Sequence, residues 1–164
     1  MIGRFKICLS YIGVCLFFFA APTKAQILQD TTALKLVKKN IDSIYNLQFN
    51  NAREVHSDIS RLYPAHPVVF LLNGMMTYWE NYPMLSTASS RYSFEEDMNR
   101  CIRLSENNKN PANEAEYLLS DLCARGMLLM YYSDNDLIME VIPLVSKTYK
   151  YLRHSFDFAS SCSD

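Results

Sequence analysis

Glycine and proline are scarce in this sequence, with four and six occurrences in 164 residues. A fold built from many short strands needs these residues at its frequent turns, so their scarcity argues against an all-β protein. Hydrophobic residues make up 49% of the chain, which is enough for a buried core and argues against intrinsic disorder. Long stretches with apolar residues three and four positions apart instead predict an all-α fold.

The sequence also lacks the short motifs of common catalytic and metal sites. It contains no H-E-x-x-H, G-x-S-x-G, C-x-x-C or phosphate-binding glycine loop. The histidines His56, His66 and His154 stand without the cysteines or carboxylates that would complete a metal site. We interpret His66 as a solvated turn residue, and the acidic run at 95–97 as charges that favour the first turn of a helix. The sequence therefore predicts a non-enzymatic protein without a cofactor or metal.

The first 25 residues have the three-part pattern of a secretory signal peptide. Arg4 and Lys6 precede an apolar run over 7–20, and Thr23-Lys24-Ala25 places small residues at both positions that a signal peptidase recognises. The run is shorter than the roughly 20 residues that a membrane-spanning helix requires. We therefore expect cleavage before Gln26 and export to a bacterial periplasm or cell envelope, with membrane contact only before cleavage.

Removal of this leader changes the net charge from −1 to −4, because the leader carries three basic residues and no acidic one. The resulting mild acidity argues against a nucleic-acid partner, which would need clustered Lys and Arg. Cys101, Cys123 and Cys162 would remain in the mature chain. We expect Cys101 and Cys123 to be buried apolar residues. Because they lie on neighbouring predicted helices, the sequence leaves open whether a disulfide joins them.

Six helices are predicted over 26–153, followed by an aperiodic tail over 154–164. Asp30 is a good N-cap for the first helix, the second carries an apolar stripe from Phe49, and Pro67 suits the first turn of the third. The third helix extends to about residue 80 and is apolar almost all round. Because Gly74 within it costs about 1 kcal/mol relative to Ala, we expect another helix to approach closely there.

The last three helices are predicted to start near Ser93, at 111 and after a turn at 133–136. We expect the fifth to turn Leu119 and other apolar side chains inward, and the sixth to kink or divide at Pro143. The sixth helix also carries an apolar stripe that we expect to face the core: Leu137, Ile138, Val141, Ile142, Val145, Tyr149 and Leu152.

Three segments share the residue spacing of a helical repeat. Phe49-x-x-Ala52 is followed by Pro64, Phe70-x-x-x-Gly74 comes next, and Leu122-x-x-x-Gly126 lies further along. This pattern resembles a degenerate tetratricopeptide repeat (TPR), as in exported bacterial TPR-like proteins of undefined activity. The resemblance implies three antiparallel hairpins stacked as an α-solenoid, with the first helix of each pair lining a concave surface.

On that register, a partner-binding groove is predicted at Val68, Leu71, Met75 and Tyr78. Alternatively, the chain's own helices cover these side chains. The predicted function is an exported protein–protein interaction module whose partner is another protein or peptide. Two other hypotheses stay open. One is a helical carrier or enzyme with an apolar pocket lined by Trp79, Tyr117, Tyr131 and methionines. The other hypothesis is that this chain is the N-terminal part of a longer TPR-like protein.

Overall fold

The computed structural model describes residues 26–161, and all regular secondary structure in this part of the chain is helical. The prediction of an all-α fold with about six helices is confirmed. The signal peptide predicted over 1–25 and Cys162 lie outside the described residues. The helices are α1 (Thr31–Tyr45), α2 (Phe49–Leu62), α3 (Pro67–Glu80), α4 (Ser90–Glu106), α5 (Glu114–Asp134) and α6 (Ile138–Ser161), with a 3-10 turn (Pro111–Asn113) before α5.

The first three helices begin where local signals predict. The Asp30 carboxylate accepts hydrogen bonds from the N–H groups of Thr32 and Ala33 at 2.9 and 3.1 Å, which caps α1. α4 begins at Ser90, earlier than predicted. The acidic run at 95–97 therefore lies in the second turn of α4, so our assignment of it to the first turn is wrong.

Each helix packs against the next one along the chain, and the odd-numbered helices form a second series of contacts. α3 packs on both α1 and α5, whereas no Cα atom of α1 lies within 8 Å of one in α5. A gap therefore opens between α1 and α5, with α3 as its floor. This gap contains the candidate site.

α3 lies at the centre of the core. Its Leu72 side chain is fully buried in a cluster to which α1, α2, α4 and α5 also contribute. A Cβ atom added to Gly74 would collide with Met98 Cε and lie 3.4 Å from Asp97 Cβ, both on α4. The predicted close approach at Gly74 is therefore confirmed. Gly126 on α5, by contrast, has no such neighbour within 4 Å.

α5 buries a charged network that the sequence analysis did not identify. The Arg125 guanidinium donates to Asp121 Oδ2 from Nε and to Glu106 Oε1 from Nη2, both at 2.7 Å. It also lies 4.4 Å from the centre of the Tyr151 ring on α6. Arg125 and Asp121 are both buried, so polar side chains occupy inward positions of α5. The predicted inward position of Leu119 is wrong, because this side chain is exposed.

α6 is covered on one side only. Leu137 and Val141 are half-buried and Leu137 packs on the core, as predicted. The rest of the predicted inward stripe is exposed instead, because only α5 approaches the backbone of α6 closely among the described helices. The helix is continuous across Pro143 and includes residues 154–161, so the predictions of a division at Ile142 and of an aperiodic tail over that range are wrong. The exposed side chains are Ile138, Ile142, Val145, Tyr149 and Leu152.

The two described cysteines have different environments. Cys101 is buried and its thiol donates to the carbonyl oxygen of Ser120 at 3.4 Å, whereas Cys123 is exposed, and both are free. Burial raises the pKa of the Cys101 thiol. The expectation of burial is therefore right for Cys101 and wrong for Cys123, and no disulfide joins them.

Candidate binding groove

An apolar groove, hereafter the α1/α5 groove, occupies the gap between these two helices. Its cavity volume is about 220 Å³. Val68 at the start of α3 forms part of its floor, and Leu34 and Leu119 stand partly exposed on opposite walls. The complete lining consists of Ile27, Leu28, Leu34, Val37, Lys38, Ile41, His66, Val68, Glu116, Leu119 and Ser120.

The segment before α1 ties one end of the groove together. The N–H groups of Ile27 and Leu28 donate to Glu116 Oε2 at 2.8 and 3.0 Å. Gln26 Nε2 donates to the carbonyl oxygen of Ala112 at 2.6 Å. Ile27 is buried by this arrangement. The separation of α1 from α5 is therefore fixed by hydrogen bonds at this end as well as by α3.

His66 and Glu116 form a buried polar pair at the same end. His66 caps α3, because its Nδ1 accepts a hydrogen bond from the N–H of Val68 at 3.2 Å. Its ring packs edge-on against Tyr117, with 4.8 Å between ring centroids. Our interpretation of His66 as solvated is wrong, since the residue is only 4% exposed. The turn that holds it is covered by α5 and by the segment before α1.

The capping bond also determines the protonation of His66. Nδ1 can accept a hydrogen bond only when it is unprotonated, so the proton of the neutral ring lies on Nε2. Burial lowers the pKa of His66, and the charge of Glu116 opposes this shift only in part. The groove therefore contains a neutral imidazole beside a carboxylate.

Each member of the pair has one atom without a good hydrogen bond among the described residues. His66 Nε2 and Glu116 Oε1 are 3.5 Å apart, which is too long for a strong hydrogen bond, and neither has another partner there. A buried polar atom left in this state is costly. Both atoms are buried and face each other, so the surface that the groove presents is apolar.

The structure brings only one of the four predicted groove residues to this site. Val68 lines the α1/α5 groove, but Leu71, Met75 and Tyr78 are 7%, 8% and 1% exposed and belong to the core. The Tyr78 hydroxyl donates to Asp134 Oδ2 at 3.0 Å, which fixes its side chain inside the protein. The prediction of a partner-binding groove is therefore wrong for Leu71, Met75 and Tyr78. The chain's own helices cover them.

The residues proposed for an apolar ligand pocket do not converge either. Trp79 packs against Tyr45 at the carboxyl end of α3, with 5.8 Å between ring centroids. Tyr131 packs in the same region against Phe94 at 5.4 Å. Tyr117 lies beside His66 at the opposite end of α3. These aromatic side chains stabilise two separate parts of the core.

Sequence reasoning missed Leu34, Glu116 and Leu119 as groove residues. Leu34 and Leu119 have the spacing of buried stripes, and Glu116 looks like one acid near a helix start. The available signal was indirect, because Glu116 lies among the apolar side chains of the predicted fifth helix. Only the packing of α1 and α5 on opposite sides of α3 brings the three together.

Comparison with protein-family models, with curated proteins and with solved structures finds no match to this chain. Among residues 26–161, none of the helices combines the length and the apolar character needed to span a membrane. The function of the α1/α5 groove must therefore be inferred from its own geometry.

Proposed function

We propose that this chain is a non-enzymatic protein-interaction module of the cell envelope, exported by its leader, that binds an apolar segment of another protein in the α1/α5 groove. The observation that carries this proposal is the groove itself, since apolar side chains line a gap between two helices whose backbones do not approach each other closely. The repeat-like spacing of the sequence supports it, because TPR-like hairpins use the corresponding concave surface for peptides.

The size of the groove favours a peptide over an enclosed small molecule. Pockets that enclose drug-sized ligands have volumes of about 300–1,000 Å³. The volume here, about 220 Å³, falls below that range. It suits the insertion of a few apolar side chains whose backbone stays outside. The carrier hypothesis is accordingly weaker.

The proposal can be tested by selecting binders from a displayed library of random peptides against residues 26–164. We expect enrichment of peptides with closely spaced Leu, Ile, Phe or Met. Leu119→Glu should weaken their binding by about tenfold or more, because it places a charge on the groove wall. Leu119 is 58% exposed, so this substitution should leave the fold intact.

The matched control is Leu62→Glu, which introduces the same charge at a partly exposed leucine on α2 outside the groove. This variant should bind the selected peptides as the unmodified chain does. Failure to enrich any peptide would contradict the proposal. So would peptides that bind the unmodified chain, Leu119→Glu and Leu62→Glu equally.

A further inference from the structure

The exposed face of α6 carries a continuous apolar stripe. Six large side chains, each between 42% and 65% exposed, follow one another at spacings of four, three, four, three and four residues. We call them the α6 seam: Ile138, Ile142, Val145, Tyr149, Leu152 and Phe156. This alternation of three and four is the spacing at which one helix packs along another in a coiled coil.

The α6 seam is distinct from the side of α6 that holds the helix in the fold. The covered side uses Leu137, Leu144 and Tyr151 against α5 and its neighbours. α2 and α4 also pack on the helix that precedes them, but each is covered again by the helix that follows it. Among the described helices, only α5 approaches the backbone of α6 closely. The α6 seam lies where a following helix would pack, as one does on α2 and on α4.

We propose that the α6 seam is an interface with a second copy of this chain, in which the two α6 helices pack antiparallel about a two-fold axis. The axis passes between Val145 and Tyr149. Ile138 then faces Phe156 of the second copy, Ile142 faces Leu152, and Val145 faces Tyr149. Two of the contacts pair a β-branched side chain with a larger aromatic one, and the third pairs Ile142 with Leu152, which is of equal size, so the surface complements itself.

The size of the seam matches what a stable dimer requires. α6 is 24 residues long, or about 36 Å. From their exposed fractions, the six side chains offer on the order of 700 Å² per copy, close to the roughly 800 Å² per partner of a standard interface. Ser146 lies beside the axis, and Lys147 lines a separate cleft with Asn99, so like charges do not meet at the axis. Antiparallel packing also aligns opposite ends of the two helix dipoles.

The oligomeric state of residues 26–164 tests this interface, and sedimentation equilibrium measures it. We expect a dimer at micromolar concentrations for the unmodified chain. Ile142→Lys and Leu152→Glu should each weaken dimerisation by about tenfold or more, because each buries an unpaired charge in the seam. Leu62→Glu, on α2 and outside the seam, should leave the dimer unchanged.

The variant that combines Ile142→Lys with Leu152→Glu tests the antiparallel register. The lysine introduced in one copy would face the glutamate introduced in the other, so the double variant should dimerise more strongly than either single variant. A monomeric unmodified chain would overturn the proposal, and so would a dimer that Ile142→Lys leaves intact. A double variant no better than the single ones would overturn the antiparallel arrangement. Peptide binding in the α1/α5 groove is independent of all these outcomes.

Discussion

α3 and α6 are both rich in apolar residues, yet the fold treats them in opposite ways. α3 contacts α1, α2, α4 and α5, and α4 approaches it closely at Gly74. Only α5 approaches the backbone of α6 closely among the described helices, and the α6 seam is left in solvent. The difference follows from position in the fold, because an inner helix has neighbours on every side. An apolar stripe therefore indicates that a helix needs a partner but does not identify that partner.

The largest loss of stability is expected when the Arg125 charge beneath the covered side of α6 is removed. Arg125→Ala would leave Asp121 buried without its ion-pair partner and would remove the stacking on Tyr151. We expect a loss of about 3–5 kcal/mol in the free energy of unfolding, measured by urea denaturation. The exposed ion pair between Arg103 and Glu96 provides the control, since Arg103→Ala should cost no more than about 1 kcal/mol. Equal losses would show that the buried network does not hold α6.

The second prediction compares truncations in the two helices directly. Leu72→Ala on α3 removes a fully buried side chain and should destabilise the protein by about 2–5 kcal/mol. Ile142→Ala on α6 should change stability by no more than about 0.5 kcal/mol at chain concentrations where the protein is monomeric. Chemical denaturation followed by circular dichroism measures both. A large effect of Ile142→Ala in the monomer would mean that another part of the chain covers the α6 seam.

Alanine substitutions of the two helix glycines give a third comparison, in which the two changes in stability should have opposite signs. Gly74→Ala should destabilise the protein, because its methyl group would collide with the end of the Met98 side chain, which is fully buried and would have to shift. Gly126→Ala meets no atom within 4 Å and should stabilise it by about 0.5–1 kcal/mol, since Ala is the better helix former. Thermal denaturation of both variants tests this. Stabilisation by Gly74→Ala would contradict the close approach of α3 and α4.

The smallest predicted effect is the pH dependence contributed by His66 at the start of α3. Its pKa is lowered in the folded state, so the unfolded chain binds the extra proton more readily. The stability that depends on neutral His66 is present above the ordinary His pKa of about 6.5 and is lost as the pH falls through the lowered folded value. His66→Asn keeps a capping side chain without this titration. The difference in Tm between pH 7.5 and pH 5 should be smaller for His66→Asn than for the unmodified chain, and an equal difference would contradict the buried neutral imidazole.

Local signals predicted much of the fold. The Asp30 cap, Pro67 and the close approach at Gly74 each depend on residues near in sequence or on the cost of one glycine in a helix. Helix type and number follow from the same periodicity that is visible in the sequence. The outer position of α6 could not be predicted, because its residues are as apolar as those of a covered helix.

The candidate site could not be predicted for a similar reason. The α1/α5 groove requires Leu34 and Leu119, 85 positions apart in the sequence, to stand on opposite walls. The residues around His66 are typical of an exposed turn. Tyr117 and Glu116 nevertheless cover its ring from α5, which is distant in the sequence. Its burial depends on how α3 and α5 pack, which local sequence does not specify.

Hydrogen–deuterium exchange with a peptide selected by residues 26–164 tests the central claim most directly. If the α1/α5 groove binds the peptide, amide exchange should slow in α1 over 33–41 and in α5 over 116–120. Exchange along the α6 seam should stay unchanged at a constant degree of dimerisation. Slower exchange confined to α6, with none at the groove, would contradict the account.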